Sequence, residues 1–228
     1  MPVMISERSV TLSAGDRVSL EARLGVPPNP VAGIAICHPH PLYGGDMENP
    51  VVVRVVEVAA EAGLATIRFN FRGVGGSTGT HGGGTAEQAD LGAALTHVRS
   101  ALPPGAPVIA AGYSFGSLVA AHVAADGNAA ALALIAPPLG LGDSRRLPEL
   151  PASLPLLIVV GSNDEYCPTE VVERLRAERP RATLKVIAGA NHFFFGKLYP
   201  LGEALGGWLA PTLATLGTGQ ARGRRSTG

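Results

Sequence analysis

The chain is short of cysteine, of aromatic residues and of any surplus of charge, and each shortage removes a class of protein. Two cysteines in 228 residues, Cys37 and Cys167, are too few for a disulfide framework and fit a reducing compartment. Eighteen lysines and arginines balance eighteen aspartates and glutamates, which leaves no electrostatic footprint for nucleic acid or an anionic membrane. The apolar stretches are strand-length or broken by charge, as in Val51-Val52-Val53-Arg54-Val55-Val56-Glu57, and none reaches the length of a bilayer span. Residues Met1-Pro2-Val3-Met4-Ile5-Ser6-Glu7 lack a basic region followed by an apolar core, so no secretory leader is expected and the expected location is cytoplasmic. No internal repeat is visible. The length suits one large α/β domain, and nothing in the composition divides it.

Apolar strands alternate with helical patterns along the chain. Val10–Leu12 and Val18–Leu24 alternate by two around Ala14-Gly15-Asp16, which predicts a hairpin. Val31–Cys37 reads as a buried strand; Asn49-Pro50 then opens a helix, with an N-cap followed by proline, and Gly63 closes it. Leu64–Phe69 is the next strand and Ala86–Ser100 the next helix. Later strands are expected at Pro107–Ala111, Ala131–Ile135, Leu156–Val160 and Thr183–Ile187, with helices at Leu118–Ala125 and Thr169–Glu178. A closing helix is expected over Leu198–Leu213. The single domain would thus fill residues 1–215, and the polar, glycine-rich residues 216–228 are expected to be a disordered tail. A hairpin followed by strand–helix units makes a mostly parallel eight-stranded sheet with helices on both faces, whose reactive groups gather at the carboxyl ends of the strands.

Glycine is plentiful, and the pentapeptide Gly-x-Ser-x-Gly occurs twice, as Gly75-Gly76-Ser77-Thr78-Gly79 and Gly112-Tyr113-Ser114-Phe115-Gly116. In a nucleophile elbow such a serine sits on a sharp turn between a buried strand and a helix, where flanking side chains would clash. Chance alone supplies roughly 0.2 such matches in a chain of this composition, so context decides. Ser114 has an apolar strand before it and the helix-forming run Leu118–Ala125 after it, closed by Asp126-Gly127. Ser77 is followed by Thr80-His81-Gly82-Gly83-Gly84, where no helix starts cheaply, and is expected in a flexible loop.

A serine hydroxyl needs a base, and a histidine base needs an acid to orient it. His192 follows the last strand in Gly189-Ala190-Asn191-His192, whereas His97 and His122 fall inside helices as surface or packing residues. Asp164 follows the strand Leu156–Val160 directly and is preferred to its neighbour Glu165. The oxyanion needs N–H donors, each worth about 10² to 10³ in rate. Phe115, after the nucleophile, is the first. The second is expected from His38-Pro39-His40-Pro41-Leu42-Tyr43, where the prolines have no N–H; His40 is preferred, with Leu42 and Tyr43 in reserve. Tyr43 and Tyr113 are expected to touch substrate. His38 and His40 are spaced like a metal pair, but no third ligand is evident nearby, and neither metal nor cofactor is expected. Arg72-Gly73-Val74-Gly75-Gly76-Ser77 lacks the Gly-Lys-Ser/Thr of a phosphate loop.

These residues together resemble an α/β-hydrolase over essentially everything before the tail. The elbow Gly112–Gly116, the Gly-x-x-Asp-x-x-x-Pro segment at Gly161–Pro168 and Gly189–His192 carry the likeness, in the chain order Ser, Asp, His. More narrowly, His38-Pro39-His40-Pro41 with Gly44-Gly45-Asp46-Met47, and Phe69-Asn70-Phe71-Arg72-Gly73, resemble small lidless bacterial hydrolases related to dienelactone hydrolases and serine aminopeptidases. Most α/β-hydrolases carry His-Gly where this chain has His38-Pro39, which leaves the second oxyanion donor open. Dienelactone hydrolases use a cysteine where this chain has Ser114, so their substrate is not carried over. His81–Gly84 spells a lipase-type oxyanion motif one strand too late, and is expected to be a mobile linker bordering the substrate entrance. Caps in this fold follow the strand that here is Ala131–Ile135, and residues 136–155 are too few for a helical lid. The resemblance implies a serine hydrolase, expected to be a carboxylesterase for short-chain or small esters; the missing lid predicts an open, shallow site, and a monomer or homodimer is expected. A peptidase, thioesterase or acyltransferase with the same triad, or a noncatalytic binding scaffold, are the alternatives.

Overall fold

The computed structural model describes residues 6–15, 17–141 and 147–223. Among them eight strands form one sheet in the order β1-β2-β4-β3-β5-β6-β7-β8. The hairpin of β1 (Glu7–Ser13) and β2 (Ser19–Gly25) pairs antiparallel from Glu7 opposite Gly25 to Ser13 opposite Ser19; Asp16 of its expected turn lies outside the described residues. β2 also runs antiparallel to β4 (Leu64–Phe69). From β4 outward β3 (Ala32–Cys37), β5 (Val108–Tyr113), β6 (Ala131–Ile135), β7 (Leu156–Gly161) and β8 (Thr183–Ile187) are all parallel. This is the mostly parallel eight-stranded sheet that the strand–helix alternation implied.

The central strands read as unbroken apolar runs because both of their faces are covered. Ile34 and Ile36 of β3 and Ile109, Ala111 and Tyr113 of β5 point toward α1 (Pro50–Glu61) and α5 (Leu198–Gly223). The alternate residues Ala35, Cys37 and Ala110 point toward α2 (Glu87–Ser100) and α3 (Phe115–Ala125), with α4 (Thr169–Glu178) covering the same face. Alanines 120, 121 and 124 of α3 are fully buried, so the helix lies close against the sheet. At the start of α1 the Asn49 side chain accepts the Val51 N–H at 3.0 Å, and Pro50 takes the first helical position. β8 is different: as the outer strand, its Lys185 and Val186 face solvent.

α5 continues to Gly223, past the expected end at Leu213, because Leu213 and Leu216 still pack on the α1-side core. The last five residues of the expected tail lie outside the described residues. Between β6 and β7 no helix or strand occurs among the described residues, and the fold has no cap domain. No helix among them is long and apolar enough to cross a membrane.

Candidate active site

β5 ends at Tyr113 and α3 begins at Phe115, so Ser114 alone makes the corner. Its backbone sits at φ 52°, ψ −120°, a conformation that costs a non-glycine residue of order 1–3 kcal/mol. The turn is held because the Ser114 N–H donates to the Ile135 carbonyl at 2.9 Å and the Ser117 hydroxyl donates to the Ser114 carbonyl. Both flanking glycines are required by space. A Cβ on Gly112 would run into the Gly116 carbonyl, and one on Gly116 would meet the His38 and Cys37 carbonyl oxygens at 2.5 and 2.6 Å.

β7 and β8 end beyond β5, and their loops lean back over it. Asp164, three residues past Gly161, is 3% exposed, and His192 is 7% exposed. His192 Nδ1 stands 3.0 Å from both Asp164 carboxylate oxygens, and Nε2 stands 2.9 Å from Ser114 Oγ. A carboxylate only accepts, so Nδ1 carries the proton and donates; Nε2 is then bare and accepts from the serine hydroxyl. The structure therefore brings together the three residues expected from the sequence. Glu165 is exposed, and His122 faces solvent from α3 while His97 is half-buried on α2. The two loops are tied to each other as well. Gly161 lets the Ala190 carbonyl approach where a Cβ would block it, and the Asn163 N–H donates to that carbonyl at 2.9 Å.

The loop after β3 reaches the corner from the other side. Pro41–Tyr43 form one 3-10 turn, in which the Leu42 N–H donates to His40 Nδ1 at 3.2 Å and the Tyr43 N–H to the His40 carbonyl at 3.1 Å. The His40 ring packs 4.8 Å from that of Phe115. Phe115 is the first residue of α3, where backbone N–H groups have no intrahelical acceptor. Tyr43 is 87% exposed at the mouth of the site. His38 is wholly buried: Nε2 accepts the Phe71 N–H at 3.0 Å and Nδ1 donates to the Pro39 carbonyl at 2.6 Å. With both nitrogens engaged by backbone, His38 cannot pair with His40 on a metal. Both cysteines are buried, and burial pushes the Cys37 thiol well up and that of Cys167 up to about 12, which makes each a poor nucleophile.

Three expectations need correction. Tyr113, expected to touch substrate, is buried on the α1 side of the sheet, and its hydroxyl donates to the His192 carbonyl at 2.9 Å. It steadies the histidine from behind. Ser77 is not in a flexible loop. It is 8% exposed, donates to the Asn70 carbonyl at 2.7 Å and accepts the Glu21 N–H at 2.9 Å, so its hydroxyl is spent on the scaffold. The His81–Gly84 run is not a mobile linker either. The buried Glu87 carboxylate accepts the N–H groups of Gly82 and Gly84, each at 2.7 Å. Burial raises its carboxyl pKa, but those bonds outweigh it and hold the group below its ordinary value. His81 Nδ1 lies 2.9 Å from Glu87 Oε1 but off the hydrogen-bonding direction, and its ring packs on His40 and Phe115 at 5.0 and 5.4 Å. The run does border the site, as a fixed wall.

The polar letters of the narrower motif also turn out to hold loops together. Asn70 donates to Glu21 and accepts the Met47 N–H, while Arg72 is clamped to the fully buried Asp90 at 2.6 Å. Beside His192 the sequence reading missed three rings: Tyr166 at 4.5 Å, Phe193 at 5.6 Å, and Phe195 stacked on Phe193. Only the phenylalanine run after the histidine could have pointed to the last two.

A family profile described as an alpha/beta hydrolase domain matches residues 40–198. An uncharacterized protein of Rickettsia prowazekii is 32% identical over 204 residues, covering 86% of each chain. Among solved structures, an alpha-beta serine hydrolase homologue from Coxiella burnetii is 37% identical with a TM-score of 0.79, over 91% of this chain and 99% of its own. A serine hydrolase without a lid from Xanthomonas campestris is 33% identical with a TM-score of 0.78, over 92% of this chain and 95% of its own.

Proposed function

Because this chain belongs to the alpha/beta hydrolase domain family, we propose that it is a serine carboxylesterase for short-chain or small esters, working through a Ser114–His192–Asp164 triad and an acyl-enzyme. The single observation that carries the reading is the bridge His192 makes between the Asp164 carboxylate and the Ser114 hydroxyl. His192 takes the Ser114 proton as Oγ attacks the carbonyl carbon, and Asp164 steadies the imidazolium that forms. The oxyanion is held by the N–H groups of Phe115 and His40. His40 is the second donor in this reading because its loop lies beside the first donor, with the His40 ring 4.8 Å from that of Phe115. His192 then gives its proton to the departing alcohol, and water repeats the sequence on the acyl-enzyme.

A lidless site implies hydrolysis of dissolved substrate with no rate jump at a lipid interface. A cytoplasmic setting is part of the same reading. The test is a fluorophosphonate probe together with p-nitrophenyl esters of graded acyl length, aminoacyl amides and thioesters. Labelling of the wild type but not of Ser114→Ala, with ester turnover dominant, is the expected result. Dominant amide or thioester turnover would replace the esterase reading, and absence of labelling would favour a noncatalytic scaffold.

A further inference from the structure

Three phenylalanines follow His192, and the backbone treats the middle one differently. Phe194 has φ 53°, a left-handed conformation that a bulky residue rarely adopts, and its ring is fully buried near Tyr113. The turn is fastened on both sides. Phe193 N–H donates to Asn191 Oδ1 at 3.1 Å, Phe194 N–H to the Asn191 carbonyl at 3.2 Å, and Lys197 N–H to the Phe194 carbonyl at 2.9 Å. With Phe194 as the plug, Phe193 and Phe195 are held outward, 52% and 75% exposed, their rings stacked at 5.5 Å and 23°. Burial of Phe194 accounts for the turn, but packing does not account for the two stacked phenyl rings it leaves in water, and exposed apolar surface of this kind marks ligand sites.

The chemistry of ester cleavage says what the rings meet. The Ser114 Oγ–carbon bond forms first and turns the carbonyl oxygen into the oxyanion; as the carbonyl re-forms, the bond from that carbon to the alcohol oxygen breaks. The proton leaves Ser114, passes through His192 and ends on the alcohol oxygen. The alcohol half must therefore depart on the His192 side of Ser114, whereas the oxyanion lies toward Phe115 and His40. Phe193 stands edge-on to the His192 ring at 5.6 Å, so the stacked pair extends the surface on that side. We infer that Phe193 and Phe195 form the subsite for the alcohol half of the substrate and select esters of apolar, bulky alcohols. This rests on the esterase reading above.

Two matched ester series test it: butyrates of methanol, cyclohexylmethanol and 2-phenylethanol, and methyl esters of acetic, butyric and octanoic acid. Wild type, Phe193→Ala, Phe195→Ala and Phe195→Leu are compared, with each variant's melting temperature as a check on folding. The wild type is expected to prefer the bulky alcohols. Each alanine variant lowers the bulky-to-methyl ratio of kcat/KM by about 5- to 20-fold, mostly through KM, while ratios along the acyl series hold. Phe195→Leu recovers part of the ratio. Unchanged alcohol ratios, or acyl ratios that fall in parallel, overturn the inference while leaving the esterase reading intact. A wild type that reacts with fluorophosphonate yet turns over neither series overturns both.

Discussion

Acidification should loosen this protein through a histidine that takes no part in the chemistry. His38 is wholly buried at the end of β3, and its two bonds, from Phe71 N–H and to the Pro39 carbonyl, need the neutral ring. Burial lowers its pKa from 6.5 to about 4, against smaller upward pulls from the Pro39 carbonyl and Asp46. The folded value lies below the unfolded one, so the unfolded chain binds the proton first. The contribution to stability is full above about pH 6.5 and is lost as pH falls through about 4. The gap corresponds to about 3 kcal/mol in all, of which about 2 kcal/mol disappears between roughly pH 7 and roughly pH 5. Urea midpoints measured across that range for wild type and His38→Gln check this, since glutamine still offers Phe71 an acceptor but does not titrate. The variant should be the less stable protein near neutrality, and the difference should shrink by about 2 kcal/mol at the acid end. A difference that stays constant with pH would refute the reasoning.

Ser77→Ala removes two hydrogen bonds and should lower stability by about 1–3 kcal/mol in urea unfolding, with fluorophosphonate labelling of Ser114 held. Asp164→Asn keeps the shape but spoils the tautomer of His192, so kcat should fall by about 10⁴ in steady-state ester assays. Tyr113→Phe frees the His192 carbonyl; kcat should drop by about 3- to 10-fold with KM nearly unchanged, and a KM effect instead would mean that Tyr113 touches substrate. Glu87→Ala leaves the Gly82 and Gly84 N–H groups unpaired, and calorimetry should show a loss of about 2–4 kcal/mol.

The central strands were legible because their apolar runs are buried on both faces and punctuated by glycine and proline; β4 and β6 have the expected bounds, and so does the outer, half-exposed β8. Ser114, Asp164 and His192 were legible for a related reason: each follows a strand, and parallel strands bring their carboxyl ends to one edge. What stayed hidden depends on partners far away in the chain. The Ser77 hydroxyl answers to Glu21, and the Gly82 and Gly84 amides to the first residue of a helix, so local polarity and glycine content read as looseness. Tyr113 was misplaced because its neighbour Ser114 drew attention. The alternation that puts Ile109 and Ala111 toward α1 and α5 puts Tyr113 there too. The left-handed turn at Phe194 leaves no mark in three identical letters.

The outer position of β8 also bears on when the site comes into being. Synthesis proceeds from the amino end, so Ser114 and its strained corner can be assembled while the base is still unmade. His192 arrives only after β8, and the Asp164 contact that sets its tautomer requires that last strand to dock on β7. A nascent or interrupted chain would present the serine with no partner to ionise it. Docking of the last strand and assembly of the triad thus fall in the same step.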